Sequence, residues 1–253
     1  MTYKLLLDAG NTRIKMALMD ASGYLEPWLN LTYSELAQQP LPDAVESVWL
    51  ACVSGKGSQQ AVMDWLRECD VPIIEIISES HAFGVTTAYD DATRLGIDRW
   101  LALVGAFDEQ PKATVIIDAG TAITVDWLDE NGQHLGGWIA PGVNLMRESV
   151  VTRTPKVFID AGEQWGKAHQ LGQNTTDCLL NGCVNSFVGL VRQAIAVSET
   201  ELDWFDYRIL YSGGSIPLLP ADLKRRGEVR SELVLQGLAC YAREGRTQLK
   251  NAI

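Results

Sequence analysis

The sequence predicts an α/β protein of two similar domains, residues 1–110 and 111–253, each a mixed sheet flanked by helices, with a cleft between the two. Three observations carry this expectation: an internal repeat, the same order of elements in both halves, and a composition able to fill two cores. The chain has 253 residues, 47% hydrophobic and 21% charged, with no low-complexity tract. That length allows one large domain or two modest ones, and either buries a sizeable core.

The repeat comes first, because a duplicated unit constrains the fold more than any single element. LLLDAGNTRIKMALMDASG near the N-terminus returns as VIIDAGTAITVDWLDENG from position 115. Both copies have an apolar strand, Asp-Ala-Gly, a short hydroxyl-bearing segment, a second strand and an Asx/Gly turn. Aligned without gaps, Asp8 falls on Asp118, Gly10 on Gly120 and Leu18 on Leu128, and only the later turn is shorter by one residue.

In the first half, residues 3–8 and 12–19 read as a hairpin and 24–29 as a third strand. VESVWLACV (45–53) reads as a strand, and SQQAVMDWLREC (58–69) as a helix with Ala61, Val62, Trp65 and Leu66 on one face. VPIIEII (71–77) is a short β-branched strand. AYDDATRLGIDRWLALVGAF (88–107) predicts a helix start, with Gly96 near its entrance, Asp98 in or near the first turn, and Trp100, Leu101, Leu103 and Val104 as apolar faces. In the second half, strands are expected at 113–118, 121–128 and 133–140, a helix after Pro141, a long helix at 175–197, a strand at 207–213 and a closing helix at 231–243. A sheet covered by helices follows in each half. The long helix carries Leu179, Leu180, Val184, Phe187, Val188, Val191 and Ile195, which suits either a subunit interface or burial in its own domain.

Two Asp-x-Gly turns facing a cleft suggest a charged ligand. Carboxylates alone would repel a polyphosphate, but a bound Mg²⁺ reverses the sign and completes its shell with phosphate oxygens. Gly10 and Gly120 are expected to let backbone amides approach the phosphates, with Asn11, Thr12 and Thr121 as side-chain donors and Lys15 as a positive charge. This set suits phosphoryl transfer, where positioning and charge stabilisation dominate. Asp98 reads either as a carboxylate at a helix start with Arg99 on a solvated face, or as a general base with Arg99 holding an anion. SGKGS (54–58) lacks the upstream glycine of a P-loop.

Other features exclude more than they assign. A net charge of −11 speaks against nucleic acid as a partner, and Lys224-Arg225-Arg226 is expected to be a solvated helix end. No apolar run is long enough to span a bilayer and no signal-peptide core precedes Asp8, which predicts a cytoplasmic protein without a membrane partner. The five cysteines form no CxxC pair and are expected to be reduced and mostly buried. His81, His134 and His169 show no metal-ligand spacing and suit surface or turn positions. Asp126 is expected to face the cleft or solvent. Gly137 and Pro141 of GGWIAPG suit a strand end and a helix start.

DAGNT (8–12) followed by Lys15, LGIDR (95–99), DAGTAIT (118–124) and GGWIAPG (136–142) closely resemble the motifs of type III pantothenate kinases, members of the acetate and sugar kinase/Hsc70/actin superfamily. The resemblance runs from residue 5 to about 190. It implies ribonuclease-H-like (actin-like ATPase) domains and ATP-dependent phosphorylation of pantothenate to 4′-phosphopantothenate, which opens coenzyme A biosynthesis. It implies Asp98 as proton acceptor, and ATP contacts at Asp8, Ala9, Gly10, Asn11, Thr12, Arg13, Ile14, Lys15 and Thr121. Pantothenate contacts are implied at Tyr89, Gly96, Ile97, Asp98 and Arg99, with Thr175 of LGQNT contributed by the partner subunit of a homodimer. A monovalent cation, K⁺ or NH₄⁺, is implied at Asp118, and Mg²⁺ alongside ATP. The chain departs from the family at 90–94, where DDATR replaces a segment that often holds a proline, and at Ser215 and Ile216 of YSGGSIPLL (211–219), the segment that resembles the family's Gly-Gly stretch near adenine. Two other readings compete: another small-molecule kinase of the superfamily, and a nucleotide-binding accessory or regulatory protein. Tyr89 and LGIDR speak against the first; Asp8, Lys15, Asp98 and Asp118 together speak against the second.

Overall fold

The unbroken apolar run Leu5-Leu6-Leu7 makes the first strand one that is buried on both faces of its sheet. The structure is a computed structural model that describes residues 2–53, 55–68, 70–154 and 165–247. Ser54 of SGKGS and Cys69 lie outside the described residues. β1 (Tyr3–Ala9) and β2 (Arg13–Met19) form an antiparallel hairpin, and β3 (Leu25–Thr32) continues antiparallel to β2. After the short α1 (Tyr33–Leu36), β4 (Val45–Cys52) returns parallel to β1; α2 (Lys56–Trp65) then leads to β5 (Ile73–Glu75), parallel to β4. The sheet order is β3-β2-β1-β4-β5. Leu5, Leu7, Ile14, Met16 and Leu50 pack on one face with Val62 and Leu66 of the α2 region. Each such side chain contributes about 1.5–3 kcal/mol on full burial. A small hairpin, β6 (His81–Ala82) and β7 (Val85–Thr86), precedes α3 (Ile97–Glu109).

The second sheet repeats this plan. β8 (Thr114–Ala119) pairs antiparallel with β9 (Ala122–Leu128), which neighbours β10 (His134–Pro141). After α4 (Val143–Arg153) and α5 (Thr175–Thr200), β11 (Arg208–Ser212) lies parallel to β8. A short α6 (Ala221–Lys224) leads to β12 (Glu228–Val229), parallel to β11. The order β10-β9-β8-β11-β12 matches the first sheet strand for strand.

The repeat is real, but its gapless alignment slips by one beyond the turn. Asp8 pairs with Lys15, whereas Asp118 pairs with Thr124. The first hairpin leaves four residues between Ala9 and Ile14; the second leaves three between Ala119 and Ile123. Leu18 therefore answers to Trp127, not Leu128. Because strand side chains alternate, this deletion keeps Ile123, Val125 and Trp127 on the core face. Asp126 takes the place of Ala17 on the opposite face, where it is buried and not solvated.

α5 buries Val184, Phe187, Val188, Val191 and Ile195 against Val115, Ile117, Ile123 and Val125 of its own sheet. Its apolar stripe thus belongs to the domain core and not to a subunit interface.

α7 (Leu233–Glu244) packs on α3 and on β1. The two helices approach closely where Gly237 meets Leu101: a Cβ on Gly237 would lie 2.0 Å from the Leu101 carbonyl oxygen. The Trp100 Nε1–H donates to the Tyr241 hydroxyl at 2.9 Å, and that hydroxyl donates to Glu79 at 2.6 Å. By compactness the chain forms two units: the first takes residues to Pro111, Asn131–His134 and the segment from Glu232, and the second takes Lys112–Glu130 and Leu135–Ser231. The first unit thus includes the C-terminal helix, which lies inside the 111–253 range read from sequence.

Candidate active site

In the first unit, Asp8 ends β1 and lies opposite Lys15 of β2, both half-buried. Side chains in register on adjacent strands share a face; this face is opposite the core built on Leu5, Leu7 and Ile14. The turn between them is closed by the Gly10 N–H donating to the Arg13 carbonyl at 3.0 Å. The Tyr33 hydroxyl donates to the Gly10 carbonyl at 2.5 Å and holds the turn from outside. The Gly10 amide thus serves the hairpin itself. Asn11 and Thr12 form the exposed tip. Arg13 donates to the Asn30 side chain at 2.7 Å and to its carbonyl at 2.6 Å. Ala9 and Ile14 have their side chains in the core, so any ligand contact there is through backbone.

Asp98 lies in the first turn of α3, behind the N-cap Gly96. Its Oδ1 accepts the Arg99 N–H at 2.8 Å. A Cβ on Gly96 would lie 2.6 Å from that oxygen, so glycine is what lets the carboxylate fold back over the helix entrance. The N–H groups of a first turn favour negative charge. The solvated-face reading of Arg99 does not hold: it is 7% exposed, and its Nη1 donates to the Tyr89 hydroxyl at 3.0 Å. A buried guanidinium needs such partners, because leaving it bare costs several kcal/mol, on the order of 3–5. Ile97 is buried at the helix start.

The departing DDATR segment closes without proline. Asp91 Oδ1 accepts the Thr93 N–H at 3.0 Å and the Thr93 hydroxyl at 2.6 Å, starting a 3₁₀ turn over Ala92–Arg94. These bonds, with the Thr93 hydroxyl foremost, hold the Asp91 carboxyl below its usual range. The buried Ser78 hydroxyl donates to the Leu95 carbonyl at 2.8 Å, fixing the loop just before Gly96.

In the second unit, Asp118 is half-buried and in register with Thr124 on one side and Ser212 on the other. Again the turn glycine spends its amide internally: the Gly120 N–H donates to the Ala122 carbonyl at 3.0 Å. Thr121 is exposed at the tip. Two further glycines hold this turn. The Gly142 N–H donates to the Thr121 carbonyl at 3.0 Å, and a Cβ there would lie 2.3 Å from that same oxygen. Gly213 has φ +95, and a Cβ would lie 2.4 Å from the Ala119 backbone. Gly142 of GGWIAPG and Gly213 of YSGGSIPLL thus pack on the Asp118 turn. Ser215 donates its N–H to the Ala119 carbonyl at 3.0 Å, as Val53 does to Ala9 at 3.2 Å in the first unit. Thr175 is the exposed first residue of α5, behind the N-cap Asn174.

His81 and His169 are exposed, but His134 is fully buried. Its ring lies parallel to Tyr89, within 16° and 6.2 Å between centroids. Sequence reasoning missed it because no local pattern marks a strand-start histidine that meets a loop far back in the chain. Among the described residues, no group of three or more His, Cys, Asp or Glu side chains gathers as a metal site, and no helix is long and apolar enough to cross a membrane.

A family model described as type III pantothenate kinase matches residues 4–197. The chain belongs to the type III pantothenate kinase family. Relatives of that description include one from Laribacter hongkongensis (strain HLHK9), 36% identical over 245 residues, spanning 94% of this chain and 98% of the relative. Another, from Pseudomonas paraeruginosa (strain DSM 24068 / PA7), is 35% identical over 244 residues, spanning 92% and 96%. Among solved structures, a Campylobacter jejuni protein described as a conserved candidate Baf family transcriptional activator superposes with TM-score 0.60 at 20% identity, over 95% of this chain and 98% of that one. A Listeria monocytogenes protein described as a candidate N-acetylmannosamine kinase reaches TM-score 0.51 at 13% identity, over 97% and 100%. At such identities the likeness concerns the fold alone, a two-sheet α/β architecture.

Proposed function

We propose that the protein transfers the γ-phosphoryl group of ATP to the hydroxyl of pantothenate, giving 4′-phosphopantothenate and ADP, the reaction that opens coenzyme A biosynthesis. One observation carries this reading within the family: at the entrance of α3 the Asp98 carboxylate accepts the Arg99 backbone N–H, and the buried Arg99 guanidinium holds the Tyr89 phenol. In the step, the hydroxyl oxygen bonds to the γ-phosphorus, the bond from phosphorus to the ADP oxygen breaks, and Asp98 takes the hydroxyl proton. Arg99 holds the anionic end of pantothenate, with Tyr89, Gly96 and Ile97 lining its place.

The turns at 8–15 and at Thr121 hold the phosphates of ATP. Asp8 offers one half-buried carboxylate and not a cluster, which fits Mg²⁺ carried in on the phosphates and held by Asp8 directly or through water. When bound, the ion neutralises phosphate charge. Asp118 fits K⁺ or NH₄⁺ in the same manner. The working unit is a homodimer in which the partner's copy of the α5 start, Thr175, completes each pantothenate pocket. Support comes from the exposure of Thr175 and from Leu135 and Ile139 on edge strand β10, exposed together with Leu145 and Val150 of α4. Cytoplasmic location, with neither nucleic acid nor membrane as partner, completes the reading.

The test supplies purified protein with ATP, Mg²⁺ and K⁺, and follows ADP release with and without pantothenate, identifying the product by mass spectrometry. Pantothenate-dependent ADP release with 4′-phosphopantothenate is expected. ADP release that ignores pantothenate, or that responds instead to a sugar, overturns the reading.

A further inference from the structure

We propose that the turn Asn131–His134 is the positioning element of the pantothenate loop, with His134 setting the orientation of Tyr89. The inference rests on Tyr89 being a pantothenate contact, as proposed above. His134 touches Ala88 and Tyr89 in two ways. Its ring faces the Tyr89 ring at 6.2 Å, within the distance at which aromatic pairs attract. Its Nδ1 lies 3.4 Å from the Ala88 N–H and accepts from it, which in a neutral imidazole places the proton on Nε2. The rest of the turn grips the residues just before. The Gly132 carbonyl accepts the Thr86 N–H at 2.9 Å, and Gln133 Nε2 donates to the Thr86 carbonyl at 3.3 Å. Gly132 has φ +81, and a Cβ there would lie 2.0 Å from the Gly84 carbonyl oxygen, so the turn rests directly on loop backbone.

Tyr89 is thus held by its own N–H donating to the Thr87 hydroxyl at 3.2 Å, by its neighbour Ala88 and its ring face through His134, and by its hydroxyl through the buried Arg99. A histidine serving only to fill the core would have no need to lie parallel to this one ring. Ordering Tyr89 before pantothenate arrives removes an entropy cost from binding, and the effect belongs to the affinity for pantothenate and not to that for ATP.

Two variants separate the two contacts. His134→Phe keeps a ring and loses the Nδ1 acceptor; His134→Asn keeps an acceptor and loses the ring. Each is expected to raise the pantothenate KM about tenfold while the ATP KM changes by less than about twofold. In a Tyr89→Ala background, His134→Phe is expected to add nothing, because the residue it positions is gone. Should a His134 variant fail to fold, Gln133→Ala removes one bond to Thr86 and is expected to raise the pantothenate KM about threefold. An unchanged pantothenate KM in folded variants, a parallel rise in the ATP KM, or full additivity with Tyr89→Ala would overturn the inference alone. A wild-type protein that does not phosphorylate pantothenate would overturn the proposed function, and this inference with it.

Discussion

Asp8 and Lys15 face one another across β1 and β2, so each strand end carries one member of an oppositely charged pair. Asp8→Ala is expected to lower kcat/KM for Mg·ATP by about tenfold or more, as loss of a charge-assisted contact does, with the pantothenate KM nearly unchanged. Asp118→Ala is expected to blunt the response to K⁺, and equal activity of the unmutated protein in K⁺ and Na⁺ would remove the cation from the account. Tyr211 supplies a pH prediction of a different kind. Burial pushes its hydroxyl up to about 12, and burial with the Glu199 carboxylate does the same for Tyr207. The folded protein therefore keeps two protons that the unfolded chain loses near the ordinary tyrosine value of about 10. Stability from these groups is fully present below about pH 10 and falls between about 10 and 12, which a melting-temperature series would show. At this scale, Asp98 and Arg99 are legible as candidates from the LGIDR segment, and Tyr89 only through the family resemblance. Tyr33 and His134 are not, since their partners lie at a distance that no spacing rule spans.

The hairpins show what an element adds to its residues. Both carry Asp-Ala-Gly, and both use the glycine amide to close the turn, yet the second turn is one residue shorter and its strand stays in phase only for that reason. Residue counting without pairing could not see this, because a gapless match looks better than a deletion. Gly213 and Gly10 make a matched test. A Cβ at Gly10 would meet one carbonyl at 3.2 Å, a contact that a small shift relieves, whereas at Gly213 it would strike the Ala119 backbone at 2.4 Å with φ at +95. Gly213→Ala is expected to cost more than about 2 kcal/mol of stability and to weaken ATP binding, and Gly10→Ala less than about 1. Comparable melting temperatures for the two variants would contradict the packing account. Periodicity placed α5 correctly, but could not say what covers its apolar stripe; the answer, its own sheet, came only from the fold.

Over the whole molecule, duplication explains the matching strand orders, and the return of α7 to the first unit is what the duplication alone does not foretell. A closing helix was legible near the C-terminus; its partner, α3, was not, because close glycine contact between helices leaves no local signature. The homodimer is a claim at this scale. Mixing inactive Asp98→Asn and Thr175→Arg variants under subunit exchange is expected to restore up to about half the activity per mixed dimer, since one of two symmetric sites regains both residues. Confirmed exchange without recovery would exclude the shared site. The central claim, that this chain phosphorylates pantothenate with Asp98 as base, is tested most directly by turnover of Asp98→Asn beside its affinity for ATP. The account predicts pantothenate phosphorylation lowered by about 10²–10⁴-fold with ATP binding nearly intact; a variant that keeps more than about a third of the wild-type kcat would contradict it.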